Sequence, residues 1–292
     1  MQLTIDTLIE GIETCKNPTC VGLDTQLAHL PEGFAGEVKN FEDAANALVR
    51  YNRAIVDALA GVVPSAKVQV AYYEMYGVPG MRAFHETIEY AKSKGLVVIA
   101  DCKRNDIGAT AGAYAKAYLS PEGGFSCDFV TVNAYLGIDG VKPFLEAGKV
   151  RGGGIFALVK TSNPSGGQLQ DLKIGDRTVY EVMGDLVSEW GEDSIGKYGY
   201  SSVGAVVGAT YPEQGAALRK RLPHTFFLVP GYGAQGATGK DLRGCFDANG
   251  RGAVVNASRS ILTAWKKQPG VDFAQAARNE AIRMRDDIME GM

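Results

Sequence analysis

Four charges fall within six positions at the end of an apolar run, in LVVIADCKRNDIGATAG (96–112): Asp101, Lys103, Arg104 and Asp106. The run LVVIADCK (96–103) has the character of a strand. Residues two apart on a strand share a face, so the side chains of Asp101 and Lys103 point the same way and Cys102 points to the opposite layer. Asp106 follows where the chain turns toward a helix. A lysine flanked by carboxylates stays an ammonium. That form is a poor nucleophile for Schiff-base chemistry and a well-placed proton donor. A solvated surface loop or an ion pair sealing a barrel mouth would carry the same charges, so the rest of the chain has to decide.

The second chemical stretch is VPGYGAQGATGK (229–240), with Gly231, Gly233 and Gly236 in a literal G-x-G-x-x-G order. A dinucleotide site requires this motif at the first βα turn, with an acid ending the next strand. Here it comes late and the next strand ends VVNASRS. A P-loop fails as well, because Ala234 stands at the required first Gly and Asp241 follows Lys240. A loop whose amides cradle one phosphate remains, with Gln235 in reach and Arg259 at the start of a helix after the following strand. Plain turn geometry is the alternative.

These groups need a scaffold. Eight short apolar runs read as strands: 20–24, 65–73, 96–103, 128–135, 154–160, 201–209, 225–231 and 252–259. Segments with helical patterning separate most of them, such as 41–61 with Gly61 as a stop, and a last helix covers 272–289. Eight βα units predict an α/β chain closed as a (β/α)8 TIM barrel, with a doubly wound open sheet as the rival. Barrel chemistry sits at the carboxyl ends of the strands. Asp24, Asp101, Lys103, Asn133, Lys160, Gln235 and Arg259 fall there, and Lys67 lies early in its run. The polar segment 161–175 has the length and composition of a lid. No linker or repeat marks a second domain, so residues 1–292 read as one barrel domain.

Composition excludes several classes. A net charge of −3 argues against nucleic-acid and anionic-membrane partners, while leaving room for a basic pocket around a small phosphate. The five cysteines are odd in number and lack C-x-x-C spacing, so neither a disulfide framework nor a zinc site is expected, and reduced thiols fit a cytoplasmic protein. The N-terminus does not read as a signal peptide, and no apolar run reaches membrane-spanning length. The Asn256-Ala257-Ser258 sequon is read as accidental. His29, His85 and His224 form no cluster, and no metal set or Ser-His-Asp arrangement is visible. Tyr72, Tyr73 and Tyr76 read as packing.

Asp101-x-Lys103-x-x-Asp106 resembles the signature of the orotidine 5′-phosphate decarboxylase family. The resemblance extends through VGLD (21–24), AKVQ (66–69), TSNP (161–164), PGYGAQG (230–236) and SRSI (258–261). Extra length around 25–40, 104–127 and 161–200 is similar to the longer subgroup. It implies a cofactor-free and metal-free decarboxylation of orotidine 5′-phosphate to uridine 5′-phosphate by a homodimer with shared sites. Carried over, Asp24 and Lys67 bind ribose hydroxyls and Lys67 bonds Asp101, which sits beside the substrate carboxylate. Lys103 protonates C6. Asp106, Ile107 and Thr110 serve the neighbouring subunit's site, Ser162 addresses the pyrimidine edge, and Gln235 and Arg259 hold the phosphate. Ser258 stands where many members carry Gly, and Asn133 where His is common. Two rivals remain. One is a magnesium-dependent sugar-phosphate decarboxylase or aldolase of the same superfamily, which would carry a Glu ligand where Lys67 stands. The other is a non-catalytic phosphometabolite-binding barrel, which would not need Lys103 between carboxylates.

Overall fold

In the computed structural model, which describes residues 2–233 and 236–292, eight parallel strands pair in sequence order and the last closes on the first. They are β1 (Thr19–Gly22), β2 (Ser65–Gln69), β3 (Val97–Arg104), β4 (Phe129–Val132), β5 (Gly154–Lys160), β6 (Ser201–Val207), β7 (Thr225–Pro230) and β8 (Ala253–Ala257). The expected (β/α)8 barrel is therefore the fold, and the open sheet is excluded by closure. Most strand ends come earlier than the sequence reading put them. After Gln69, for instance, the run continues into the helical turn Ala71–Glu74, because Tyr73 packs into the core and donates to the Leu23 carbonyl.

Alternation along the strands builds two cores. One set of residues faces the helix layer, which includes Phe41–Leu59, Gly77–Ser93, Gly108–Leu119, Ile138–Lys149 and Phe273–Gly291. The other set fills the barrel: Cys20, Ile99, Phe129, Phe156, Phe226 and Val254 form a packed interior cluster. Two residues further along each strand the same inward face is reached again. Those next positions are Gly22, Lys67, Asp101, Thr131, Leu158, Val206, Leu228 and Asn256. The polar members of this layer lie at the carboxyl mouth, above an apolar plug that keeps water from entering below. Asn256 is thus a buried strand residue, 7% exposed, and the apparent sequon is not an accessible acceptor.

The five thiols are all free, and four are buried. Cys102 packs in the outer core as its strand parity requires. No helix among the described residues is long and apolar enough to cross a membrane.

Candidate active site

Lys67 sits in the middle of β2, so its long stem rises along the barrel wall and carries the ammonium to the mouth. The Nζ lies 3.1 Å from Asp24 Oδ1 and 2.9 Å from Asp101 Oδ2. The other oxygen of Asp101 accepts from Lys103 Nζ at 2.6 Å and from the Thr131 hydroxyl at 2.9 Å. Lys67 and Asp101 are buried, whereas the Lys103 side chain is 46% exposed and faces the cavity. An Asp–Lys–Asp–Lys chain thus crosses the first three strands.

Burial opposes charge on Lys67, but the carboxylates of Asp101 and Asp24 outweigh it and hold its pKa well above the ordinary lysine value. Asp101 mirrors this: burial alone would raise its carboxyl, yet Lys67 and Lys103 hold it well below the usual carboxylate range. Asp101 is therefore ionised at every working pH. A single buried charge would be costly, and each one here is offset by its neighbours.

The motif is strained. Among the described residues four non-glycines have positive φ, and two are Lys103 (46°) and Asp106 (139°). Pairing between β3 and β4 becomes irregular between Ala100 and Arg104, so Lys103 is not on a regular strand as the spacing predicts. Its side chain meets Asp101 nonetheless. The Thr131 hydroxyl accepts from the Lys103 N–H at 2.9 Å while donating to Asp101. One buried threonine thereby fixes both the strained backbone and the carboxylate. Positive φ costs about 1–3 kcal/mol at a non-glycine residue and persists where neighbours over-determine it, typically at functional sites.

The chain of charges floors a cavity of about 430 Å³ that also reaches Ser162 and Leu228. A second lobe of about 360 Å³ is lined by Arg259, Ser258, Gly231, Tyr232, Tyr72 and His29. The two lobes share Asp24, Ser162, Pro230 and Asn256. They form one elongated site, with the Asp–Lys chain in one lobe and Arg259 in the other. Gly231, Gly233 and Gly236 all have positive φ, which explains the glycines as turn residues. The Gly233 and Gly236 amides already donate within the loop, to Ala237 and Gly233 carbonyls. Arg259 lines the same lobe and brings a guanidinium to it. Gln235 lies outside the described residues.

Other expected site residues stand elsewhere. Asp106 is half-buried and its Oδ1 accepts from the Ile107 N–H at 2.7 Å. Asp106, the exposed Ile107 and the exposed Thr110 do not line this chain's own cavity. Asn133 leaves the ring expected at the mouth, because its side chain caps the turn Ala134–Leu136. Lys160 leaves it too. Pairing of β5 shifts register between Leu158 and Lys160, and Lys160 is 1% exposed with its ammonium between the rings of Tyr180 and Tyr211. Its partner is Asp171 at 2.6 Å, in the segment after β5. That segment is not a bare loop: it contains the turns Pro164–Gly166 and Gly167–Gln170 and a small hairpin, Lys173–Ile174 with Arg177–Thr178. The ion pair ties it to the barrel. Asp171→Ala should cost about 3 kcal/mol of stability by stranding a buried ammonium, and Lys160→Met clearly less, since Asp171 is half in solvent. Urea denaturation of the two variants checks the asymmetry.

Three contributors were not picked out from the sequence. Thr131 is the polar residue of an otherwise apolar strand and shares the inward parity of Phe129, a signal that was there to use. Ser258 Oγ donates to Asp24 Oδ2 at 2.8 Å, so the residue that replaces the family's frequent Gly orients a site carboxylate. Gly22 makes the room: a Cβ there would lie 1.9 Å from Ser258 Oγ. Asn256 is the third.

A closed parallel barrel with an ion-pair chain and an arginine at opposite ends of one carboxyl-face cavity is the architecture of a phosphometabolite enzyme. The chain belongs to the orotidine 5′-phosphate decarboxylase / HUMPS family, whose model matches residues 18–270. It is 42% identical over 292 residues to orotidine 5′-phosphate decarboxylase of Clostridium tetani, covering 99% of both chains. With the Rhodopirellula baltica enzyme of that name the identity is 48% over 268 residues, 89% of this chain and 87% of the relative. Among solved structures, a Streptomyces avermitilis chain superposes with TM-score 0.84 at 32% identity, covering 100% of this chain and 96% of that one. The Leishmania donovani OMP decarboxylase gives 0.76 at 29%, with 97% and 98% covered.

Proposed function

We propose that this chain, acting as a single barrel domain, converts orotidine 5′-phosphate to uridine 5′-phosphate in pyrimidine biosynthesis, without metal or cofactor, in the cytoplasm. The observation that carries the reading is the Lys103 ammonium held 2.6 Å from a buried, ionised Asp101 at the floor of the cavity. The bond from C6 to the carboxylate breaks, carbon dioxide leaves, and the electron pair stays on C6. The pyrimidine offers no electron sink comparable to a Schiff base, so the carbanion needs a fixed positive charge in a water-poor site. Lys103 supplies that charge and then the proton, and regains its own from solvent. Asp101 stands beside the departing carboxylate. Lys67, tied to Asp24 and Asp101, keeps the array fixed and addresses the ribose with Asp24. Ser162 addresses the pyrimidine edge. Binding energy from the distant phosphate on Arg259 and Gln235 is available to draw the 161–175 segment closed. The direct test is loss of the orotate absorbance band on incubation with orotidine 5′-phosphate. Persistence of the band with folded protein would overturn the reading.

Asp24 and Asp101 are acids that line the cavity, and the Lys67 ammonium stands between them and pairs with both. A divalent cation placed there would face that ammonium. Turnover should therefore survive exhaustive chelation; loss with EDTA and recovery with magnesium would favour the sugar-phosphate rival. Arg259→Ala should weaken uridine 5′-monophosphate binding by about 2–3 kcal/mol, the cost of a lost charge-assisted contact. An unchanged affinity by calorimetry would remove Arg259 from the phosphate site.

The working unit is a homodimer with no nucleic-acid or membrane partner. Met75, Val78, Ile107, Tyr135, Leu136 and Ile138 are all exposed, Val78 at 85% and Tyr135 at 73%. Ile107 adjoins Asp106, the Arg104–Glu74 pair joins the motif to the Met75 turn, and a Cβ at Gly140, two residues after Ile138, would lie 2.9 Å from the Asp106 carbonyl oxygen. An apolar face around the motif's outward end suits a second copy of the chain. Asp106, Ile107 and Thr110 then complete the partner's site.

A further inference from the structure

Asn256 is a buried polar residue of the site to which the proposed chemistry gives no task. It follows Val254 on the inward face of β8 and lines both lobes of the cavity. Its Nδ2 lies 3.4 Å from Ser258 Oγ, a weak contact. Its Oδ1 has no hydrogen-bond partner among the described residues. A buried carbonyl oxygen left unpaired is unfavourable, so such groups in native sites are normally satisfied by what binds there. The space in front of it is built: a Cβ on Gly22 would approach Oδ1 to 2.9 Å, so glycine at the end of β1 keeps the amide's surroundings open.

Position along the cavity identifies the ligand group. The Asp–Lys chain marks the reacting end and Arg259 the anionic end, and Asn256 stands among the residues shared by the two lobes. The middle of a nucleoside 5′-phosphate is its ribose, which is neutral and rich in hydroxyl donors. Each oxygen of Asp24 already accepts one bond, from Lys67 and from Ser258, which leaves it capacity for one ribose hydroxyl while a second hydroxyl needs another acceptor. An uncommitted acceptor at that level is the amide oxygen. We propose that Asn256 Oδ1 accepts a hydrogen bond from a ribose hydroxyl and makes the site select ribonucleotides over their deoxy counterparts. The inference rests on the proposed decarboxylase reading and adds a specificity determinant to it.

The test uses the full-length enzyme with uridine 5′-monophosphate and its 2′-deoxy and 3′-deoxy analogues as competitive ligands. Wild type should bind the ribonucleotide about ten- to a hundredfold more tightly than one of the two analogues. In Asn256→Val, which puts an apolar side chain on the strand and loses the acceptor, the ribonucleotide should fall to the level of that analogue while the analogue's own affinity holds. Asn256→Ala is measured beside it, so that a folding defect in one variant leaves the other to decide. A merely structural role would weaken all three ligands together and leave their ratios intact. That outcome, or a wild type indifferent to both hydroxyls, would overturn the proposal. A wild type that consumes orotidine 5′-phosphate but fails here sinks only the Asn256 role; one that neither consumes it nor binds the monophosphate sinks the functional reading itself.

Discussion

Lys103→Ala should lower turnover by roughly 10⁴-fold or more while leaving a folded protein that still binds uridine 5′-monophosphate. A positioned general acid contributes about 10²–10⁴, and a preorganised charge at the site of developing negative charge about 10²–10³. Lys103 is asked for both. The fold should tolerate the change, because the Lys103 side chain is half exposed and its backbone is held by Thr131 rather than by its own ammonium. Asp101 keeps Lys67 as a partner, so no buried carboxylate is stranded. Single-turnover assays with circular dichroism and a binding isotherm separate the effects. Retention of more than a few per cent of the rate would show that another group delivers the proton.

Mixing two dead variants should restore activity. Lys103→Ala and Asp106→Ala homodimers should each be nearly inactive if Asp106 serves the neighbouring site. In a mixed dimer a two-fold axis places both defects in one site and leaves the other intact. Random reassortment makes about half the dimers mixed, so roughly a quarter of all sites should recover. The variants are co-refolded or co-expressed, and turnover is compared with each parent. Activity at the parental level despite verified mixed dimers would mean that Asp106 acts within its own chain. Asp106 is not among the residues that line this chain's own cavity, so a role within its own site would need the side chain to move.

The barrel and the strand that carries Asp101 were legible in the sequence because both are local patterns. Eight apolar runs with helical spacers demand parallel pairing, and alternation along 96–103 places Asp101 on the inward face and Cys102 in the outer layer. Arg259 follows a strand end, where the sequence reading looked for function, and Ser162 was named by the family resemblance; both line the cavity. Lys67 does not fall at a strand end, and the length of its stem brought it to the mouth. Non-local contacts decided the remainder. Register shifts after Ala100 and Leu158 set where Lys103 and Lys160 point, and pairing irregularities depend on neighbouring strands. Lys160 accordingly left the ring to anchor the segment at Asp171, and Asn133 left it to cap a turn. Ser258 and Asn256 became cavity residues only when closure brought β8 beside β1. A polar side chain on an apolar strand reads alike in sequence whether it is satisfied by its own backbone or turned toward a ligand. Only the three-dimensional inventory of hydrogen-bond partners separates the two.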